Sequence, residues 1–440
     1  MKKSELRKIT DPFVKFKLMQ RLGDIFLRIG EYIRRVNKEE EWKNFQETLS
    51  PINWGFEEIK SKKINSIANK IKVRIFHQQS NMWNAISSVC DEFVCDDKYD
   101  VLVVLTGSAY NLCSQVEQMK QLNLQYIVAQ DYSFESDKPD ILLIYNSWVW
   151  YSFPKHLWEA RKYTKFIIEI PLWTRDNFGS VFTAHKILYW KEIKPDYCIV
   201  DQYMYKKYSE FDKFNKYKLF GHPKLDILYR RIKNKVEIPV FWKKLKEKKI
   251  LVFVTDHGLT MNGVYQDCAF DIYVKNIFKF FIENEDYGLI FRPHDSYIND
   301  LLHSFWSYSD YQYLKKMIDN SSNIVWDDTD DFTLSYSIAD AIISDLNCDL
   351  TASAFLINKP VAVLHRNDME TRAYSPEITD YYININSLED LDKFFKEFEL
   401  NNDTMKKLRN EKLKNTIYSF NGKNGKEIKE FIEKKFFETR

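Results

Sequence analysis

Short apolar runs separated by polar segments recur along the chain from residue 72 onward. Several of them, such as VLVVLT (101–106) and KILVFVT (249–255), are continuously apolar, which is typical of strands buried on both faces of a parallel sheet. The segments between these runs have helical spacing, so the pattern predicts a strand–helix alternation and an α/β fold. The predicted strands occupy 72–76, 101–106, 126–129, 140–145, 165–170, 197–200, 217–221, 249–255, 288–292, 323–327, 341–345 and 361–365. The predicted helices occupy 82–93, 111–122, 273–283, 313–319, 350–356 and the charged stretch from 388 onward.

The alternation falls into two halves, which a lysine-rich stretch at 233–249 separates. We therefore expect two doubly wound, Rossmann-like domains that face a cleft, over 71–235 and 236–385, followed by C-terminal helices over 386–440. Residues 1–70 are expected to form a helical extension, because apolar positions recur every three or four residues between 13 and 36. Lysines and arginines surround that stripe, so residues 1–40 either pack on protein or contact an anionic membrane surface.

Composition narrows the class of protein. The chain has 440 residues, of which 45% are hydrophobic and 29% charged, as in folded soluble proteins. Its net charge of +2 argues against a nucleic-acid partner. The six cysteines form no C-x-x-C pair, and the sequence shows neither a secretory signal nor an apolar span long enough for a membrane helix. We expect a cytoplasmic protein, with contact at the inner face of the cell membrane left open.

Ligands of doubly wound sheets bind beyond the carboxyl ends of the strands, and four of the eight histidines follow predicted strands directly. These histidines are His77, His257, His294 and His365. Neither half has a G-x-G-x-x-G or a P-loop motif. A nucleotide diphosphate would instead be held by histidine, arginine, hydroxyl groups and helix N-termini.

Four motifs in sequence order carry a resemblance to a known family. They are Gly221-His222-Pro223-Lys224-Leu225-Asp226, Thr255-Asp256-His257-Gly258, Arg292-Pro293-His294, and Ser344-Asp345 followed by Asn358-Lys359-Pro360. With them, residues 70–385 resemble the CDP-glycerol glycerophosphotransferase family, which builds teichoic-acid-like and capsule or lipopolysaccharide-linked polymers. In the first half, QQSNMW with Trp83 and KPDILLIYNSWVW add to the resemblance.

The resemblance implies a GT-B fold and a transferase. Such an enzyme would move a polyol phosphate, with glycerol phosphate expected, from a CDP-activated donor to a surface glycan or a lipid-linked acceptor, without a metal or other cofactor. The sequence departs from the family at the His-Gly-Thr motif of the first half, which is absent from IIEIPLWTRDNF (167–178). Two serines expected after Asp345 are replaced by Leu346-Asn347-Cys348-Asp349, and Asp256 replaces the first histidine of a pair.

Candidate site residues follow from the motifs and the strand ends. Negative charge builds on the departing cytidine phosphate, so preorganised donors near it lower the barrier. The candidate catalytic residues are His77, His257 and His294, and the candidate donor-binding residues are Arg292, Ser344, Asp345, Asn347, Thr351, Ser353, His365 and Arg366. His77 is the first choice for the base that deprotonates the acceptor, with Asp176 and His185 as alternatives, and an ordinary hydrogen-bonded polar histidine is an equal interpretation of His77.

Other polar and aromatic groups have mainly structural interpretations. Asp226 is expected to cap or orient the helix between the halves, and Asp327, Asp328 and Asp330 to cap the next helix rather than bind a cation. Trp148, Trp150 and Trp173 follow strands, where they either pack in the core or hold a sugar or polyol.

Two other functions stay open at this point. One is a glycosyltransferase of the same fold that uses a nucleotide sugar. The other is a non-catalytic scaffold of a polysaccharide assembly, which the missing His-Gly-Thr motif keeps open.

Overall fold

Two fully parallel sheets organise the computed structural model, which describes residues 70–106, 109–145, 159–171, 194–202, 205–206, 209, 215–255, 269–293, 308–345, 353–366, 380–416 and 419–438. The strands are β1 (Ile71–His77), β2 (Tyr99–Leu105), β3 (Tyr126–Val128), β4 (Ile141–Ile144), β5 (Phe166–Glu169), β6 (Tyr197–Val200), β7 (Tyr217–Leu219), β8 (Lys249–Val254), β9 (Tyr287–Arg292), β10 (Ile324–Trp326), β11 (Ala341–Asp345), β12 (Val361–Leu364) and β13 (Ile383–Ile385). The expected N-terminal helix lies outside the described residues.

The helices mostly follow strands, as the alternation predicts. They are α1 (Ser87–Val94), α2 (Ala109–Gln121), α3 (Phe134–Asp137), α4 (Ala160–Tyr163), α5 (Lys224–Asn234), α6 (Phe270–Glu283), α7 (Tyr308–Asn320), α8 (Phe332–Ile338), α9 (Leu388–Glu399), α10 (Lys406–Thr416) and α11 (Asn424–Glu438). Short 3₁₀ turns cover Ser80–Ala85, Ala129–Asp131, Val240–Leu245 and Phe355–Ile357. The helix predicted over 82–93 is thus a 3₁₀ turn followed by α1.

Both sheets have the strand order of doubly wound folds. The first runs β3-β2-β1-β4-β5-β6-β7 and the second β10-β9-β8-β11-β12-β13. The order reverses between β1 and β4 in the first sheet and between β8 and β11 in the second. The prediction of two Rossmann-like sheets is confirmed, and the two reversal points mark where a ligand crevice opens.

The core follows from the apolar runs. Strands β8, β9, β11 and β12 bury nearly every side chain, since helices cover both faces of the second sheet. β13 was not predicted, because its sequence INI is short and partly polar.

The last helix packs on the first half, although the chain before it completes the second half. Ile428, Ile432 and Phe436 of α11 are buried, and α11 lies against α1. Phe436 meets Phe166 of β5 with ring centroids 6.1 Å apart. The first half therefore includes the C-terminal end of the described chain.

Candidate functional site

The crevice of the first sheet contains a neutral hydrogen-bond network around His77, the last residue of β1. His77 is fully buried, and its Nδ1 lies 2.5 Å from the hydroxyl of Tyr145, which follows β4. Its Nε2 lies 3.1 Å from Oε1 of Gln118 on α2. The sheet topology explains this meeting, because β1 and β4 are neighbours at the reversal point.

The partners of this network fix the protonation of His77. The Tyr145 hydroxyl accepts from the Gln78 N–H, so its proton is free to point at Nδ1. The Gln118 amide nitrogen donates to the Ser80 carbonyl, so its oxygen accepts the proton of Nε2. Burial lowers the pKa of His77 to about 3. His77 is therefore a neutral imidazole with both nitrogens engaged, which favours the structural interpretation over a role as base.

One buried carboxylate on this edge was missed by the sequence analysis. Glu169 ends β5, two strands from β1, and is fully buried. The available signal was a glutamate closing the otherwise apolar run KFIIEI (165–170). A buried acid at the carboxyl end of a parallel strand is a candidate for acid–base chemistry.

In the second sheet, Asp345 holds the start of a helix at the crevice. It ends β11, is fully buried, and accepts a hydrogen bond of 2.9 Å from the N–H of Ala269, the residue before α6. Ser344 is also fully buried, and its hydroxyl donates to the Asp345 carbonyl. The N-terminus of α6, with its partial positive charge, is thereby fixed at the carboxyl edge of the sheet.

Two arginines on this edge form ion pairs. Arg292 ends β9, and its guanidinium lies 2.8 Å from Oδ2 of Asp327, which follows β10. Arg366 follows β12 and binds both carboxylate oxygens of Asp271, in the first turn of α6, at 2.6 and 3.1 Å. Both arginines are buried. The two guanidinium groups are held in fixed positions, as recognition of a phosphate requires.

Ser353 and His365 differ from these residues in their partners. Ser353 is buried, and its hydroxyl has no hydrogen-bond partner within the described ranges. The His365 ring, which is partly exposed, has Nε2 2.7 Å from the side-chain oxygen of Asn384.

The acidic cluster before α8 differs from the prediction. Asp331 caps α8 by accepting from the Thr333 N–H, whereas Asp327 pairs with Arg292. The predicted caps Asp327, Asp328 and Asp330 were therefore wrong, because the residue that caps α8 is Asp331. Asp331 also accepts from Asn84 of the first half at 2.8 Å and from Arg231 of α5, so one carboxylate joins both halves and the helix between them.

The turn at Gly221–Asp226 anchors the C-terminal helix. Asp226 is buried in α5 and accepts from the N–H groups of Asn424 and Gly425 at 3.0 and 2.7 Å. It thus caps α11 and not the helix between the halves. His222 is buried, with Nε2 donating to the Pro171 carbonyl and Nδ1 accepting from the Lys224 N–H, and burial lowers its pKa to about 3.

Glycine is required where this turn meets α11. A Cβ on Gly221 would lie 2.7 Å from the Ser419 carbonyl oxygen, and one on Gly425 would lie 2.5 Å from the backbone of Ser88 in α1. The glycine in the first family-like motif therefore has a packing role.

Several predicted residues lie outside the described part of the chain. They are His257, His294, Asn347, Thr351, the alternative bases Asp176 and His185, and Trp148, Trp150 and Trp173. Among the described residues, no group of three His, Cys, Asp or Glu side chains is arranged to hold a metal ion. In the same part of the chain, no helix has the length and apolar character needed to cross a membrane.

Comparison with solved structures shows a fold similar to that of several two-domain enzymes. No family model matches the chain, and no curated protein matches it. A UDP-N-acetylglucosamine 2-epimerase is similar with a TM-score of 0.56 and 14% identity, over 84% of this chain and 96% of that one. The Neisseria meningitidis UDP-GlcNAc 2-epimerase, solved with UDP-GlcNAc, gives a TM-score of 0.55 and 14% identity, over 83% and 100% of the two chains.

A variant of the wall teichoic acid polymerase TagF is also similar, with a TM-score of 0.52 and 13% identity, over 84% of this chain and 90% of that one. The chain thus has a GT-B-like fold, as predicted. Because these identities are low and epimerases share the fold, the similarity does not single out CDP-glycerol chemistry.

Proposed function

We propose that this protein is a cytoplasmic enzyme of cell-surface polymer synthesis that transfers glycerol phosphate from CDP-glycerol to a surface glycan or a lipid-linked acceptor. The observation that carries the proposal is the pair of arginines held in place at the carboxyl edge of the second sheet. Arg292 and Arg366 are fixed there by Asp327 and Asp271, next to the N-terminus of α6, and of these residues Arg292 belongs to a family-like motif. The fold that the chain shares with TagF is consistent with this proposal.

The chemistry requires stabilisation of a leaving phosphate. In the transfer, the acceptor oxygen forms a bond to the glycerol-linked phosphorus while the bond from that phosphorus to the cytidine phosphate oxygen breaks. CMP leaves with the added negative charge, and the acceptor proton passes to a base. Arginines held by Asp327 and Asp271 are suited to that charge, because their positions do not need to reorganise during the reaction. The hydroxyl of Ser353, which has no hydrogen-bond partner among the described residues, is a further candidate donor to the phosphate.

The base is assigned to the first sheet, where the acceptor would lie. His77 is unsuited because burial lowers its pKa to about 3, which makes it a weak base, and because both of its ring nitrogens are hydrogen-bonded. We propose Glu169 instead, on the ground of its burial at the end of β5.

A second candidate is an enzyme that acts on a UDP-sugar. It is favoured by the similarity in fold to epimerases, one of which was solved with UDP-GlcNAc. A nucleotide-sugar glycosyltransferase belongs to the same candidate class, because its donor would occupy the same crevice.

Nucleotide binding tests both candidates. Calorimetry with CDP, CMP, UDP and GDP should show a preference for CDP, and His257→Ala and His294→Ala should lower turnover of CDP-glycerol by about 10²-fold or more while the protein stays folded. A UDP preference would instead select the UDP-sugar candidate. Absence of binding to all four nucleotides would reject both and favour the scaffold.

A further inference from the structure

An exposed apolar pair lies at the start of the 3₁₀ turn Val240–Leu245, between the two halves in sequence. Val240 is 85% exposed and Phe241 is 64% exposed, whereas Trp242 and Leu245 of the same turn are buried. Across the described ranges, no other two consecutive large apolar residues are both exposed. Neighbouring exposed apolar side chains on a folded surface indicate a contact site.

The turn is fixed in position by its buried side. Trp242 and Leu245 belong to the core of the second half, and Lys244 Nζ donates to the carbonyls of Ile318 and Ser321 at 3.0 and 3.1 Å. Leu245 packs beside Gly288 at the amino end of β9. The pair therefore projects from the amino edge of the second sheet, opposite the edge that carries Arg292 and Asp345.

Lysines flank the pair in sequence. Residues 233–249 contain seven lysines and two glutamates, Glu237 and Glu247. Lys243 and Lys246 are exposed and form no ion pair with any described residue. The carboxylates of Asp319, Asp340 and Glu399 act on other lysines of the segment, Asp319 on Lys244 and the other two on Lys249. Lys248 donates to the backbone carbonyl of Glu285.

We propose that Val240, Phe241, Lys243 and Lys246, here called the basic tip, dock the protein on an anionic bilayer. The two apolar side chains would enter the headgroup boundary, while the lysines would pair with lipid phosphates. A stable protein–protein interface buries about 1,200–2,000 Å², far more than two side chains provide, so a lipid surface fits the tip better than a protein does. The contact is weak, reversible and sensitive to salt. It is separate from the nucleotide crevice and does not depend on the proposed reaction.

Vesicle co-sedimentation of the full chain tests this proposal. The probes are phosphatidylcholine vesicles with and without 30% phosphatidylglycerol, a composition of about one anionic lipid in three. We expect binding to the anionic vesicles only. Lys243→Gln with Lys246→Gln should weaken binding about fivefold per lysine, which corresponds to about 1 kcal/mol for each. Val240→Ser with Phe241→Ser should weaken it further without changing its dependence on salt.

A matched control on α7 separates the tip from general surface charge. Tyr313 is 71% exposed, and Lys315 and Lys316 are exposed beside it. A Tyr313→Ser, Lys315→Gln, Lys316→Gln variant should bind vesicles like the wild type. The proposal would be overturned if the control lost as much vesicle binding as the tip variants, or if the tip variants bound like the wild type. It would also be overturned if the wild type did not bind anionic vesicles.

Discussion

The carboxyl edges of the two sheets carry different polar chemistry on the same strand order. At the reversal point of the first sheet, His77, Tyr145 and Gln118 form a closed set of neutral hydrogen bonds. On the second sheet, Arg292 and Arg366 are held by carboxylates, and Asp345 holds a helix N-terminus. A neutral, satisfied network gives rigidity, whereas fixed charges can bind an ion. The reversal point of one sheet thus holds a satisfied neutral network, whereas the corresponding edge of the other sheet holds paired charges.

The variant with the largest expected effect tests whether the carboxyl edge of the first sheet contributes to catalysis. Glu169→Gln removes the buried carboxylate of β5 and should lower turnover of CDP-glycerol, measured as CMP release, by about 10²–10⁴-fold. The control is Asp140→Asn, which alters a buried carboxylate at the amino end of β4, on the opposite edge of the same sheet. Normal turnover in Glu169→Gln would leave the first edge without an identified base.

The second effect concerns the charged edge. Arg292→Ala leaves Asp327 buried without its partner and should lower the free energy of unfolding by about 3–5 kcal/mol. Calorimetry should also show at least about tenfold weaker nucleotide binding, because a charge-assisted hydrogen bond to phosphate is lost.

Arg409→Ala is the matched control for this variant. Arg409 is a fully buried arginine of α10 in the same half, paired with Asp403. The Arg409→Ala protein should lose a similar amount of unfolding free energy but keep the nucleotide affinity of the wild type. Equal affinities in the two variants would contradict a binding role for Arg292, and Arg292→Lys serves if the alanine variant does not fold.

The third effect is a dependence of stability on pH. The pKa values of His77 and His222 fall from the ordinary 6.5 to about 3 in the folded protein. The unfolded chain therefore binds protons that the folded chain does not, so stability is fully present above pH 6.5 and decreases as pH falls toward 3. Each histidine should contribute up to about 1.4 kcal/mol per pH unit in this window.

Denaturant unfolding at pH 7, 6, 5 and 4 measures this dependence. His77→Gln and His222→Gln should each flatten it, because each removes one imidazole whose pKa burial lowers. An unchanged slope in both buried variants would show that these imidazoles are not kept neutral by burial.

The smallest expected effect is on turnover in His77→Gln. Glutamine can keep hydrogen bonds to Tyr145 and Gln118, so turnover should stay within about threefold of the wild type. A fall comparable with that of Glu169→Gln would return His77 to the role of base and remove the contrast between the two edges.

Most strands and their parallel pairing were predictable from sequence, because continuous apolar runs are typical of strands buried on both faces of a parallel sheet. VLVVLT and KILVFVT form strands with buried neighbours on both faces, and the alternation with helices requires parallel pairing. β13 escaped prediction because three residues with one asparagine carry no such signal.

The positions of candidate residues were also predictable, but their partners were not. Sequence order places Arg292 and Asp345 at strand ends. The pairing of Arg292 with Asp327, and of Asp226 with α11 some 200 residues later, depends on tertiary packing. The sequence correctly placed His77 at a strand end. That both of its ring nitrogens are hydrogen-bonded depends on where the fold puts Tyr145 and Gln118.

The return of α11 to the first half affects how the protein is made. Ribosomes add about 5–20 residues per second, so the roughly 200 residues between α5 and the end of α11 take about 10–40 s to synthesise. During that time, the surface of α1 and β5 that Phe436 and Gly425 will cover stays open to water. The first half is made first but finished last, and a nascent chain that stops before Asn424 would present this apolar surface to chaperones and proteases.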